Sequence, residues 1–290
     1  MKKLKALAIL LVFTLLLTGC NLFKMDNMDD ITIVTTNYPL EYLTTKLYGE
    51  HALVRSMYPD GVNIKTYKIN NGMINNLSEE ELFIYYSYGD DKDMAVKLLN
   101  KNKQLLIIDG SLGMKPDYLE ELWLNPSNML MSAQNIKTGL IQYINNAYLK
   151  KEIEKNYDSL LLELSELDAE MKLTGENATS KTIVTSNKVL KFLDKYGFEV
   201  ISLDDDNTAI EKTIKEVNEM ANNGAIRYIY KLQYDENSAT VNDLINNNSN
   251  LSIKELKVIS NISNEDRDAG FDYIQIMQDN LDQLKLETYK

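Results

Sequence analysis

The sequence predicts an α/β protein of two lobes, each a small parallel sheet with flanking helices, joined by one long rigid helix. Three observations predict it. Short β-rich runs alternate with helical runs through residues 31–108, the alternation returns through residues 181–285, and one uninterrupted amphipathic run, Leu149 to Leu173, lies between them. Strands that alternate with helices pair in parallel and are covered on both faces.

The first alternation opens with Ile31 to Thr35, a β-branched run, followed by a turn at Tyr38-Pro39 and a helix through Leu43 and Leu47. Ala52 to Tyr58 reads as a strand, Asn70 to Leu77 as a short helix, Leu82 to Tyr86 as a strand, Met94 to Asn100 as a helix and Leu105 to Ile108 as a strand. In the long run, Leu149, Ile153, Tyr157, Leu160, Leu164, Leu167 and Met171 recur at steps of three and four, which places them on one helix face. No Gly or Pro interrupts it. About 25 residues at about 1.5 Å each give a rod of roughly 37 Å, longer than one lobe requires, so the stretch reads as a helix between two lobes, with an ordinary surface helix as the alternative. Gly175 to Ser180 reads as the linker into the second alternation, which runs through Lys181–Val184, Val189–Tyr196, Glu199–Ser202, Ile210–Asn222, Ala225–Tyr230, Thr240–Asn246, Lys254–Val258 and a last helix, Tyr273 to Lys285.

The N-terminus is an address. Met1 to Cys20 combines early lysines, an apolar run too short for a comfortable membrane span and small residues before a cysteine, the pattern of a secretory signal. Leu17-Thr18-Gly19-Cys20 resembles the bacterial lipobox, which makes Cys20 the expected lipid attachment site. It is the only cysteine, so no internal disulfide is possible. The expected organisation is a signal peptide at 1–19, a lipidated N-terminus and tether at 20–29, a first lobe at 30–147, the linking helix at 148–174 and a second lobe at 175–290.

Charge and composition exclude several functions. The formal net charge is −12, and loss of Lys2, Lys3 and Lys5 with the signal takes it to about −15. A nucleic-acid partner is not expected, because phosphate contacts need Lys and Arg. One histidine, His51, and one N-terminal cysteine leave the chain almost without nucleophiles, general bases or soft-metal ligands, and no enzymatic activity is expected. His51 is expected to be a surface or packing residue. Tyr85, Tyr86 and Tyr88, with Tyr67, either line a cleft or pack strand ends.

Local strings then narrow the reading. Ile33 to Glu50, with its Thr35-Thr36-Asn37-Tyr38-Pro39 turn, resembles the opening of the zinc- and manganese-binding lipoproteins that feed bacterial ABC importers, the ZnuA/TroA type. Tyr58-Pro59-Asp60-Gly61-Val62, Leu82-Phe83-Ile84-Tyr85, Leu122-Trp123-Leu124-Asn125-Pro126, Val184-Thr185-Ser186, Phe192-Leu193-Asp194-Lys195-Tyr196-Gly197 and Tyr273 to Leu281 are similar to further family segments, in the family order. The resemblance implies a monomeric receptor, tethered by lipid to the outer face of the bacterial cytoplasmic membrane, that closes on a small solute and delivers it to an ABC permease.

At the family's metal ligands the chain departs. Carried over residue by residue, those positions are Lys65, Glu121, Asn187 and Asn261, where the family has three histidines (or two and a Glu) and an Asp. Tetrahedral zinc needs lone-pair donors, and only Glu121 supplies a carboxylate. A lysine ammonium has no lone pair and repels a divalent cation. No bound zinc or manganese is therefore expected, and Lys65 and Glu121 are expected either to pair across the cleft, supported by the amides of Asn187 and Asn261, or to serve a small zwitterionic or anionic ligand. Asp204, Asp205 and Asp206, with Glu121, are a weaker alternative oxygen-ligand set; a solvated turn before the helix at Ile210 is the simpler reading. The competing functional class is a surface adhesin or a transporter-associated interaction protein that uses the scaffold without binding solute.

Overall fold

The computed structural model describes residues 28–204 and 209–290. β1 (Ile31–Thr35), β2 (Ala52–Ser56), β3 (Leu82–Tyr85) and β4 (Leu106–Asp109) form one parallel sheet in the order β2-β1-β3-β4. β5 (Thr182–Thr185), β6 (Glu199–Ser202), β7 (Tyr228–Leu232) and β8 (Ser252–Leu256) repeat that order in a second, β6-β5-β7-β8, also parallel. In each sheet the connections leave the first strand in one direction and the third in the other. That reversal opens a crevice beyond the carboxyl ends of β1/β3 and of β5/β7.

Helices α1 (Tyr38–Tyr48), α2 (Asn71–Ser78), α3 (Asp90–Lys101), α4 (Glu121–Leu124) and α5 (Pro126–Tyr143) belong to the first lobe, and α6 (Ala147–Glu176) is the rod. The second lobe carries a 3-10 helix (Lys188–Tyr196), then α7 (Ala209–Asn222), α8 (Ala239–Asn247), α9 (Asn264–Asp268) and α10 (Tyr273–Thr288). Local chemistry sets several starts. Asn37 Oδ1 accepts from the Leu40 amide at 3.1 Å and Pro39 sits in the first turn of α1. Asn146 accepts from the amides of Tyr148 and Leu149 at the head of α6. Asp272 and Gln275 form a reciprocal capping box on α10.

The rod buries Leu149, Ile153, Leu160, Leu164, Leu167 and Met171, six of the seven residues in the expected stripe. Tyr157 stays half-buried beneath the Lys137 ammonium, 4.1 Å from its ring centre. At 30 residues, α6 is about 45 Å long, starting one residue before the expected 148–174 and ending two after it. It packs on α1 and α5 at one end and on α10 and the 3-10 helix at the other. Gly175, expected in a linker, lies in its last turn, where an added Cβ would stand 2.1 Å from the Tyr196 carbonyl oxygen. Only glycine lets the rod approach the second lobe so closely.

Other elements differ in detail. β2 ends at Ser56 rather than Tyr58, β7 begins at Tyr228 rather than Ala225, and residues 188–196 wind as 3-10 rather than α. The largest difference is α5, 18 residues in a region to which the sequence pattern assigns no element. It buries Met129, Ala133, Ile136 and Leu140.

One hydrophobic cluster runs through both lobes, with Trp123 at the junction. Its indole N–H donates to the Val258 carbonyl at 2.7 Å, Tyr273 donates to the Trp123 carbonyl at 2.6 Å, and Tyr86 stacks on it at 6.1 Å. Burying so large a ring is worth roughly 4 kcal/mol, so the interface between lobes is part of the core. Among the described residues, no helix is long and apolar enough to cross a membrane.

Candidate functional site

The crevice is built from loops that leave the strand ends. In the first lobe, Gly61 takes a left-handed turn (φ 76°) and Asn63 caps the next one, accepting from the Lys65 amide at 3.0 Å. This holds Lys65 at the crevice. In the second lobe, Asn187 follows β5 and Asp235 follows β7, which puts both at the topological switch of that sheet.

Lys65 Nζ donates to Glu120 Oε1 at 2.9 Å and stands 3.8 Å from Asp235 Oδ1. Asn187 Nδ2 donates to Asp235 Oδ2 at 2.6 Å, and Lys231 Nζ donates to the Asp235 carbonyl at 2.9 Å. A first-lobe ammonium thus lies between one carboxylate of its own lobe and one of the other. Burial works against the Lys65 charge, yet the Glu120 hydrogen bond and the Glu120 and Asp235 charges outweigh it and hold the ammonium above its usual range. Burial and the nearby Glu120 charge raise Asp235, against the pull of Lys65, Lys231 and Asn187.

The partner of Lys65 is Glu120 rather than the expected Glu121. Consecutive residues at a helix start point about 100° apart, so only one of the two can face Lys65. Glu121 is 5% exposed and faces a different recess, where burial raises its carboxyl, opposed by a hydrogen bond from the Asp117 backbone and attraction to Lys195. Asn261 does not reach Lys65 either. It donates to the Pro59 and Val62 carbonyls at 2.7 and 3.1 Å and stitches the two lobes, while its own Oδ1 has no donor among the described residues. Of the four carried-over positions, the structure joins Lys65 and Asn187 through Asp235.

Asp235 and Glu120 carry no motif, and neither does a second charged contact between the lobes. Arg267 in α9 grips Asp60 with Nε and Nη2 at 2.7 and 2.8 Å and meets Glu41 Oε1 at 2.9 Å. Glu41 is 8% exposed and its other oxygen accepts the Ser56 amide. The Gly61 amide adds a bond to the Ile262 carbonyl at 2.8 Å, and the Tyr38 amide one to the Ser260 carbonyl at 3.2 Å. Strain accompanies these contacts. Tyr234 and Ile259, each beside a site loop, have φ of 69° and 58°, in the left-handed region that bulky and β-branched side chains avoid at a cost of about 1–3 kcal/mol.

The other candidates resolve as follows. Asp204 is exposed; Asp205, Asp206 and Cys20 lie outside the described residues. Tyr86 is fully buried, Tyr85 stacks on Phe83 at 6.0 Å and Tyr67 meets Tyr58 edge-on at 5.9 Å, which is strand-end packing. His51 bridges Asp29 and Glu152 at 2.9 and 3.1 Å. Its bonds to them raise its pKa. Among the described residues no three His, Cys, Asp or Glu side chains are grouped to hold a metal. The Lys65 cluster offers two carboxylates and an amide around a fixed positive charge, and these do not fit a divalent cation.

Comparisons with known proteins agree with this architecture. The model of the family described as ZnuA, zinc-uptake complex component A, periplasmic, matches residues 33–286. The high-affinity zinc uptake system protein ZnuA of Bacillus subtilis is 23% identical over 89% of this chain and 87% of that protein. The manganese ABC transporter substrate-binding lipoprotein PsaA of Streptococcus pneumoniae is 28% identical over 73% of this chain and 74% of that one. In structure, the Zn(II)-bound ZnuA-like domain of Streptococcus pneumoniae AdcA superposes with a TM-score of 0.71 at 22% identity, over 90% of this chain and all of that domain.

Proposed function

Because the chain belongs to the ZnuA family of periplasmic zinc-uptake components, we propose that it is the extracytoplasmic solute-binding lipoprotein of a zinc/manganese-type ABC import system, altered so that a lysine ammonium stands where relatives take their ion. Cys20 carries the lipid, the mature chain faces outward, and its partner is the system's permease. The observation that carries the altered site is Lys65 Nζ at 2.9 Å from Glu120 and 3.8 Å from Asp235. A divalent ion about 4 Å from that ammonium would be repelled by roughly 8 kcal/mol at a surface-like dielectric, comparable with the whole binding free energy of a micromolar ligand. The two carboxylates that would attract an ion are already engaged by Lys65.

Calorimetry of the mature chain with zinc and with manganese, together with metal analysis of the protein as purified, tests the site. The expected result is no stoichiometric uptake at micromolar metal; tight one-to-one binding by the unmutated protein defeats the reading. Affinity capture from solubilised membranes should recover an ABC permease, and fatty-acid labelling should disappear in Cys20→Ala.

A further inference from the structure

Beside the crevice lies an open recess of about 800 Å³ between the Asp117–Glu121 segment of the first lobe and the 3-10 helix, β6 and α7 of the second. Its volume is within the range of small-molecule sites, and its position between lobes is where such sites concentrate. Glu121 forms one wall and forms no ion pair within 4 Å among the described residues, although it is 5% exposed. Its carboxylate accepts a hydrogen bond from the Asp117 backbone, but a negative charge so withdrawn from water is costly unless a cation also reaches it.

The cations nearby are not equivalent. Lys191 is engaged, 2.9 Å from Asp194 and 2.6 Å from the Val200 carbonyl. Lys195 attracts Glu121 across the recess but forms no ion pair among the described residues, and Lys188 lines the same side. Phe192 and Tyr118 add aromatic surface. A simple anion would meet the Lys195 side favourably and then face Glu121 and Asp117. A bare metal cation would meet Glu121 favourably and then face the lysines. A molecule with opposite charges at its two ends satisfies both walls, and the aromatic surface accepts what joins them.

We propose that this recess binds a small zwitterion, a free amino acid or short peptide, with its amino group on Glu121 and its carboxylate on Lys195. The proposal concerns the recess alone and does not depend on the import role or on the state of the Lys65 cluster.

The test is a thermal-shift screen of the mature chain with the twenty free amino acids, di-alanine and tri-alanine at 10 mM, followed by calorimetry of any that shift. At least one should bind. Its N-acetyl and its C-terminal amide forms should each bind at least tenfold more weakly, as should the original compound to Glu121→Gln and to Lys195→Gln. Circular dichroism and the melting midpoint of both variants establish that they fold; Glu121→Gln removes a buried charge and should melt no lower than the parent. No shift with any compound overturns the proposal. So does equal affinity for the blocked forms, or unchanged affinity in both folded variants. A zinc titration run in parallel reports on the crevice separately.

Discussion

Two of the charged clusters that bridge the lobes are reversed in provenance. At one, Lys65 of the first lobe meets Asp235 of the second; at the other, Arg267 of the second lobe meets Glu41 and Asp60 of the first. Their grip differs. Arg267 presents a planar fork with three contacts between 2.7 and 2.9 Å, one of them to a nearly buried carboxylate. Lys65 has one close contact and one at 3.8 Å, on a side chain that is 56% exposed. Guanidinium geometry suits a fixed clamp, while an ammonium is a hydrated point charge that changes partners readily. The tighter fastening of the lobes at Arg267 is therefore kept apart from the Lys65 cluster, which lies at the crevice beyond the strand ends.

Three experiments put that contrast under load. The largest effect comes from a third group, which has to be separated from both clusters. Burial, reinforced by the adjacent Asp90 charge, pushes the Asp91 carboxyl up to about 7 against the hydrogen bond it accepts from the Tyr86 backbone. The folded chain therefore holds a proton that the unfolded chain has lost. Its stabilising contribution is fully present below about pH 4, declines as pH rises, and is gone above about pH 7, a loss of up to about 4 kcal/mol. Melting midpoints measured from pH 4 to 8 should fall along this course and flatten in Asp91→Asn. Glu41 and Asp235, also raised, add smaller changes in the same direction.

Next in size is the clamp. Arg267→Ala leaves Glu41 buried without its cation and should lower stability by roughly 2 kcal/mol in denaturant unfolding, less than for a fully buried pair because the Arg267 side chain is 39% exposed. Arg267→Lys should recover only part of the loss, since an ammonium cannot reproduce the fork. The smallest effect belongs to Lys65→Gln, which should change stability by less than about 1 kcal/mol, with 1 M salt narrowing the difference further. A Lys65→Gln loss as large as that of Arg267→Ala would erase the distinction between the clusters.

Much of the fold was legible because its signals are periodic. The stripe from Leu149 to Met171 and the alternation of β-rich and helical runs each repeat often enough to outweigh local noise. α5 carries comparable cues, Asn125 as cap, Pro126 at the first turn and Met129, Ala133, Ile136 and Leu140 on one face, but Ser127, Asn128, Gln134 and Asn135 dilute the stripe. Among the candidate positions, Lys65 and Asn187 follow motifs that fix the register, and the structure joins them through Asp235. Glu120 was displaced by its neighbour because a one-residue offset in a short helix turns a side chain away from the crevice. Asp235 and Arg267 lie in a loop and a five-residue helix whose positions depend on how the lobes meet, and no local pattern encodes that.

Position 175 sets a limit on how this receptor can work. With the rod's last turn resting directly on the Tyr196 carbonyl, one absent methyl group meters the spacing between the halves, and the frame has no slack there to give. Any change in the angle between the halves must therefore be taken up elsewhere than at this contact.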